Sequence, residues 1–165
     1  MTLAVDLGQK GVRCVLVERK DAPQFLPKME RCNARTMEIF RHMGIAAKVR
    51  AAGLRADVPM DVYIVLALNR PPLLHHPYPS VDEARRRIDA CTDGTLPLEP
   101  YQLISQYTLE PLLKSVAETL PSVTVRYGCE FLSMEQDASG VTARISSRGK
   151  TSRKPSGKYA GAPGC

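Results

Sequence analysis

The sequence predicts an α/β fold, and three observations carry that expectation. The chain opens on a helical apolar face, passes two glycines and enters a short β-branched run that ends on an acid. Its middle alternates capped helical patterns with a strand-like run, punctuated by Gly and Pro. Its later part joins an amphipathic helix directly to several short strands.

Taken in order, Leu3, Ala4 and Leu7 mark one face of the first helix, with Gly8 and Gly11 as its exit. Residues 12–17 are rich in valine and leucine, as expected of a strand covered on both faces. Glu18 follows at once. Residues 20–32 form a loop in which Pro23 and Pro27 break any helix, and which carries Lys28 and Arg31. Asn33 is placed to cap the helix ARTMEIFRHMG, whose apolar face draws on Met37, Ile39, Phe40 and Met43, and Gly44 closes it. Residues 45–52 read as a second short helix ending at Gly53, and residues 61–68, DVYIVLAL, as a strand. Residues 69–101 are proline-rich and irregular, with one short helix over 81–88. His75 and His76 fall there as loop residues, and His42 as a surface helix residue. Residues 105–120 predict an amphipathic helix stopped by Pro121. Short strands follow at 123–126, 130–136 and 141–146, with 137–140 as a hairpin connection. Residues 147–157 are polar and lose periodicity, and KYAGAPGC reads as one more strand entering a glycine turn.

Composition narrows the function classes. At 165 residues, 44% hydrophobic and 24% charged, the chain has the make-up of an ordinary soluble domain. It has no apolar run approaching about 18 residues and no signal-peptide pattern, so a cytoplasmic protein without a membrane partner is expected. Five widely spaced cysteines, with no C-x-x-C pair, point to reduced thiols and to no metal site. The net charge of +6 sits largely in Arg85, Arg86, Arg87 and in the tail at Arg148, Lys150, Arg153, Lys154 and Lys158. Those positions read as a solvated helix face and a polar tail. With no Trp and three Phe there is no stacking platform, so a nucleic-acid partner is not expected.

Glu18 is the first candidate site residue. In a dinucleotide-binding βαβ unit, an acid at the tip of the second strand accepts hydrogen bonds from the adenosine ribose. The competing reading is a solvated acid where a strand surfaces. No G-x-G-x-x-G occurs in the chain, and the Gly-rich turn of such a unit would precede the first helix.

LAVDLGQKGVRCVLVER, PKMERCNARTMEIFRHMGI, PYPSVDEAR and SQYTLEPLL follow one another in an order that resembles the FAD-dependent aromatic-ring hydroxylases. These are the phenol and p-hydroxybenzoate hydroxylase-like flavoprotein monooxygenases, and the resemblance covers residues 1–146. It implies a partial doubly wound, Rossmann-like FAD-binding region with the start of a β-rich substrate domain. Residues 1–60 would be FAD-binding, 61–100 the first part of the substrate domain, 101–146 a return to the FAD-binding region, and 147–165 an atypical polar tail. Residues 61–68 would begin the sheet that covers the substrate. A chain truncated at both ends is the corresponding expectation.

The resemblance implies roles residue by residue. Glu18 would take the ribose, and Arg19 would lie near the adenine end of FAD. Lys28 stands where relatives have an arginine facing the ribityl and pyrophosphate portion, and it supplies charge without the bidentate fork. Gln106 matches a glutamine that hydrogen-bonds the cofactor. Lys28 as an exposed loop cation and Gln106 as an ordinary first-turn polar residue stay open as alternatives. Arg35 is expected to be a structural ion-pair partner. No catalytic side chain is assigned, because FAD, NAD(P)H and oxygen carry the chemistry while the protein orients a small aromatic substrate in a dry cavity. The family leaves room for a homo-oligomer. Two other functional readings remain: a non-catalytic remnant or interaction module that binds no flavin, and a plain NAD-binding protein, which shares Glu18 but leaves RTMEIFR and Gln106 unexplained.

Overall fold

The computed structural model describes residues 1–26 and 28–147, and the backbone of 158–159. The elements are α1 (Thr2–Gln9), β1 (Cys14–Val17), β2 (Arg31–Cys32), α2 (Ala34–His42), α3 (Ala46–Ala52), β3 (Val62–Ile64) and β4 (Leu74–His76). They continue with α4 (Val81–Ala90), β5 (Gln102–Leu103), α5 (Gln106–Glu118), β6 (Val123–Arg126), β7 (Cys129–Asp137), β8 (Gly140–Ser147) and β9 (Lys158–Tyr159). The chain divides into two compact units, Met1–Gln24 with Leu113–Cys165, and Phe25–Leu112.

In the first unit, β1 pairs in parallel with β6, from Cys14 opposite Val123 to Val17 opposite Arg126. Helix α1 lies against them through Ala4, Val5 and Gly8 rather than through the predicted Leu3, Ala4 and Leu7. Leu3 is 69% exposed. Gly8 explains the rotation: a Cβ there would overlap Val123 Cγ2 and stand 2.8 Å from Leu120 Cδ1. Ser122 donates its hydroxyl to the Gly8 carbonyl at 3.2 Å. Gly8 is therefore a close-packing residue inside the helix, and the exit belongs to Gly11, whose φ of +72° favours glycine. Strand β1 is shorter than the predicted 12–17. It is also half-exposed rather than covered on both faces.

β7 and β8 form an antiparallel hairpin, extended by β9 on the far side of β8. Its turn is held by Asp137 Oδ1, which accepts the backbone N–H and the hydroxyl of Ser139. Of the expected C-terminal strand, only Lys158–Tyr159 lies within the described residues, and the polar tail at 148–157 lies outside them.

The second unit follows the predicted caps closely. Asn33 Oδ1 accepts the Thr36 N–H at 2.8 Å, which satisfies one of the free amides at the start of α2. Asn33→Ala is expected to cost about 1 kcal/mol, read as a shift in urea midpoint. Met37, Phe40, Met43, Ile45 and Val49 are buried, whereas Ile39 is exposed. Gly44 closes α2 with φ +72°. Helix α4 begins with a full capping box: Ser80 Oγ accepts the Glu83 N–H, and Glu83 Oε2 accepts the Ser80 N–H at 2.8 Å.

The predicted strand at 61–68 shrinks to Val62–Ile64, and its partner β4 lies inside the stretch expected to be irregular. His75 and His76 are therefore strand residues. Val65, Leu66 and Leu68 are exposed, and Leu68 is 99% so. Their β propensity has no partner strand to act on among the described residues, and the chain turns instead, with Arg70 N–H on the Ala67 carbonyl.

Candidate cofactor-contact residues

Glu18 sits at the end of β1, half-buried. Its N–H donates to the Arg126 carbonyl at 2.8 Å, and its carbonyl accepts the Cys129 N–H at 2.9 Å. The backbone of the acid is therefore fixed between β6 and β7. Its Oε1 accepts the Lys20 N–H at 2.9 Å. Its second oxygen has no hydrogen-bond partner among the described residues, so an oriented carboxylate with spare acceptor capacity is presented at the strand tip. Arg19, next to it, is 3.8 Å from Glu130 and largely exposed, a loose pair that leaves the guanidinium available.

Lys28 and Gln106 are brought together within the second unit, although 78 residues separate them. The Lys28 N–H donates to Gln106 Oε1 at 2.9 Å, and the Gln106 N–H donates to the Met29 carbonyl at 3.0 Å. Gln106 Nε2 donates to Glu110 Oε1 at 2.7 Å, one helical turn on. The glutamine thus braces the loop that carries Lys28. A side-chain amide has two N–H groups and two lone pairs, so one donor and one acceptor remain for a ligand. The Lys28 side chain is exposed and makes no ion pair among the described residues. Arg35 pairs with Glu38 at 3.2 Å, the structural role expected of it.

Each unit by itself carries groups of the kind a dinucleotide cofactor takes. Glu18 offers a free carboxylate oxygen for ribose hydroxyls, and Lys28 a cation for phosphate. Helix α1 has no acid in its first turn to offset the positive end of its dipole.

Sequence reasoning missed a cluster on the β3–β4 hairpin. Tyr63 lies opposite His75, and their rings stack at 4.3 Å between centroids and 3° between planes. Asp61 Oδ2 is 2.8 Å from His75 Nε2, and Asp61 Oδ1 accepts the Tyr78 N–H at 2.8 Å. The signal was the alternation of DVY and LHH across a hairpin, hidden because no tight turn motif joins the two. The Tyr78 amide, and then His75, hold the Asp61 carboxyl below its ordinary 3.8. A depressed carboxylate stabilises the fold above its unfolded pKa and loses that contribution as pH falls through the folded one. The Tyr78 amide resonance is therefore expected to titrate with a midpoint below the ordinary aspartate value. A midpoint above 3.8 in an NMR titration would contradict this arrangement.

Comparison with known proteins places these residues in a family. The FAD binding domain family matches residues 1–162. An FAD-dependent monooxygenase of Emericella nidulans is 34% identical over 126 residues, covering 76% of this chain and 20% of that protein. The 2,4-dichlorophenol 6-monooxygenase of Cupriavidus pinatubonensis is 34% identical over 143 residues, covering 86% and 23%. The structure of the flavin-dependent monooxygenase PieE in complex with FAD and substrate superposes with a TM-score of 0.74 at 30% identity, over 89% of this chain and 25% of that one. The chain thus spans between a fifth and a quarter of the length of these relatives. No helix among the described residues is long and apolar enough to cross a membrane. With the family pattern running over nearly its whole length, the chain belongs to the FAD-binding domain family of the flavin-dependent monooxygenases, whose cofactor is FAD.

Proposed function

We propose that the chain contributes cofactor- and substrate-contacting parts of an FAD-dependent monooxygenase that hydroxylates a phenol-like ring with NAD(P)H and oxygen. The observation that carries this reading is the Glu18 carboxylate, with one oxygen anchored at a parallel strand tip and the other free. When bound, FAD supplies the redox and oxygen-transfer chemistry. Glu18 accepts the adenosine ribose hydroxyls, and Arg19 lies near the adenine. Lys28 sets a positive charge toward the pyrophosphate and ribityl portion, held in place by Gln106, which offers its remaining N–H to the same group. The β3–β4 hairpin, with Tyr63, Ile64 and Leu74 exposed, provides apolar surface to exclude water from a ring. The name of the dichlorophenol monooxygenase favours a phenolic substrate. Reduced thiols and a cytoplasmic setting accompany this reading.

Titration of the purified chain with FAD, followed by flavin fluorescence and visible absorption, tests it. Saturable binding is expected, and Glu18→Ala should weaken it by about 1–3 kcal/mol, roughly 5- to 150-fold, as ribose hydroxyls lose their acceptor. Unchanged affinity would remove the role given to Glu18. A folded chain that binds no flavin would favour the non-catalytic reading. That reading draws on the small share of each relative that the chain spans.

A further inference from the structure

We infer that the second unit contains a binding site for a small ring-bearing carboxylate, separate from the residues assigned to FAD. A cavity of about 290 Å³ opens among β2, α4 and the segment between α4 and β5. That volume sits at the small end of ligand sites and suits one ring with a short substituent. Tyr78, Ile88 and Leu96 give it apolar walls, and two guanidinium side chains, Arg31 and Arg87, line it as well.

The charge around this cavity is not balanced. Arg31 reaches Glu30 only at 3.8 Å. Arg87, in the last turn of α4, makes no ion pair among the described residues. The acid one turn before it on its own helix, Glu83, feels the field of Arg87 but has one carboxylate oxygen on the Ser80 amide. Glu99 also lines the cavity, yet its carboxylate is committed to Arg50 at 2.7 Å and lies 3.8 Å from Arg41. An apolar slot with spare positive charge is complementary to a flat ring that carries an anion. Arginine favours a planar carboxylate because its fork can donate two parallel hydrogen bonds. None of Glu18, Arg19, Lys28 and Gln106 lines this cavity, so the site stands or falls apart from flavin binding.

The test uses the intact chain, with benzoate as probe and benzamide as its neutral match, followed by ligand-observed NMR and calorimetry. Benzoate is expected to saturate one site, with benzamide weaker by about tenfold or more, the difference between a charge-assisted and a neutral hydrogen bond. Arg87→Met and Arg31→Met should each weaken benzoate by about tenfold, while Arg85→Met, which removes an exposed charge on the same helix, should leave it unchanged. Far-UV circular dichroism of each variant separates loss of the site from loss of the fold. Absence of saturation, equal binding of benzamide, or equal weakening by Arg85→Met would each overturn the assignment. Flavin affinity, read on the same samples by absorption, reports on the cofactor reading alone.

Discussion

Replacing Arg50 with Met is expected to destabilise the protein by about 3–5 kcal/mol, the cost of stranding a buried charge. Arg50 and Glu99 are 11% and 10% exposed at their side chains and meet at 2.7 Å. The guanidinium also donates to Gln102 Oε1 at 3.0 Å and to the Pro100 and Tyr101 carbonyls. One side chain on α3 therefore organises the segment that leads into β5. Met keeps most of the stem volume, so the loss reports on charge and hydrogen bonds rather than on a cavity. With no Trp in the chain, unfolding is best followed in urea by far-UV circular dichroism. Adding Glu99→Gln to Arg50→Met should restore part of the stability, because the uncompensated carboxylate is gone. A loss below about 1 kcal/mol would mean that the pair behaves as a surface salt bridge. Burial, partly offset by the Arg50 charge, pushes the Cys32 thiol up. Cys32, 2% exposed, thus packs in the core with its thiol protonated more readily than a free one.

Local chemistry made much of this fold legible. Asn33, Gly44 and Pro121 each bound a helix for a local reason, a side-chain cap, a positive φ and a ring without an N–H, and the structure agrees at all three; Gly53 also ends its helix, but in a conformation open to any residue. Patterning failed where a partner decides. Leu3 and Val5 are equally apolar, but the close approach of Gly8 to Val123 turns the helix so that Val5 is buried and Leu3 is not. DVYIVLAL has strand propensity throughout, yet strand forms only opposite Leu74–His76.

The candidate site was legible in kind and less so in arrangement. An acid after a β-branched run is visible in any reading of the chain, but that Lys20 anchors one of its oxygens is not. Lys28 and Gln106 were singled out separately, and the bond between them depends on loop closure across most of the second unit. The cavity at Arg31 and Arg87 left no mark at all. In sequence, Arg87 belongs to a run of three arginines that reads as a solvated helix face.

Gly53→Ala is expected to cost about 2–4 kcal/mol, from overpacking joined to the loss of buried hydrogen bonds. Backbone strain is not the cause, since Gly53 has φ −92° and ψ −164°, open to any residue. Space is the cause. An added Cβ would fall on the Gln102 side-chain nitrogen and 2.7 Å from the Leu103 carbonyl oxygen. That oxygen accepts both the Leu54 N–H at 2.7 Å and Gln102 Nε2 at 2.9 Å. Gln102 is only 1% exposed, so its displaced amide finds no water. Gln102→Ala alone removes the same amide and leaves Arg50 one acceptor short, so it too should destabilise. In the double variant the methyl group enters space that Gln102 has vacated, and the combined cost should fall at least about 1 kcal/mol below the sum of the singles. Strict additivity in urea unfolding would show that Gly53 is needed for something other than its approach to Gln102.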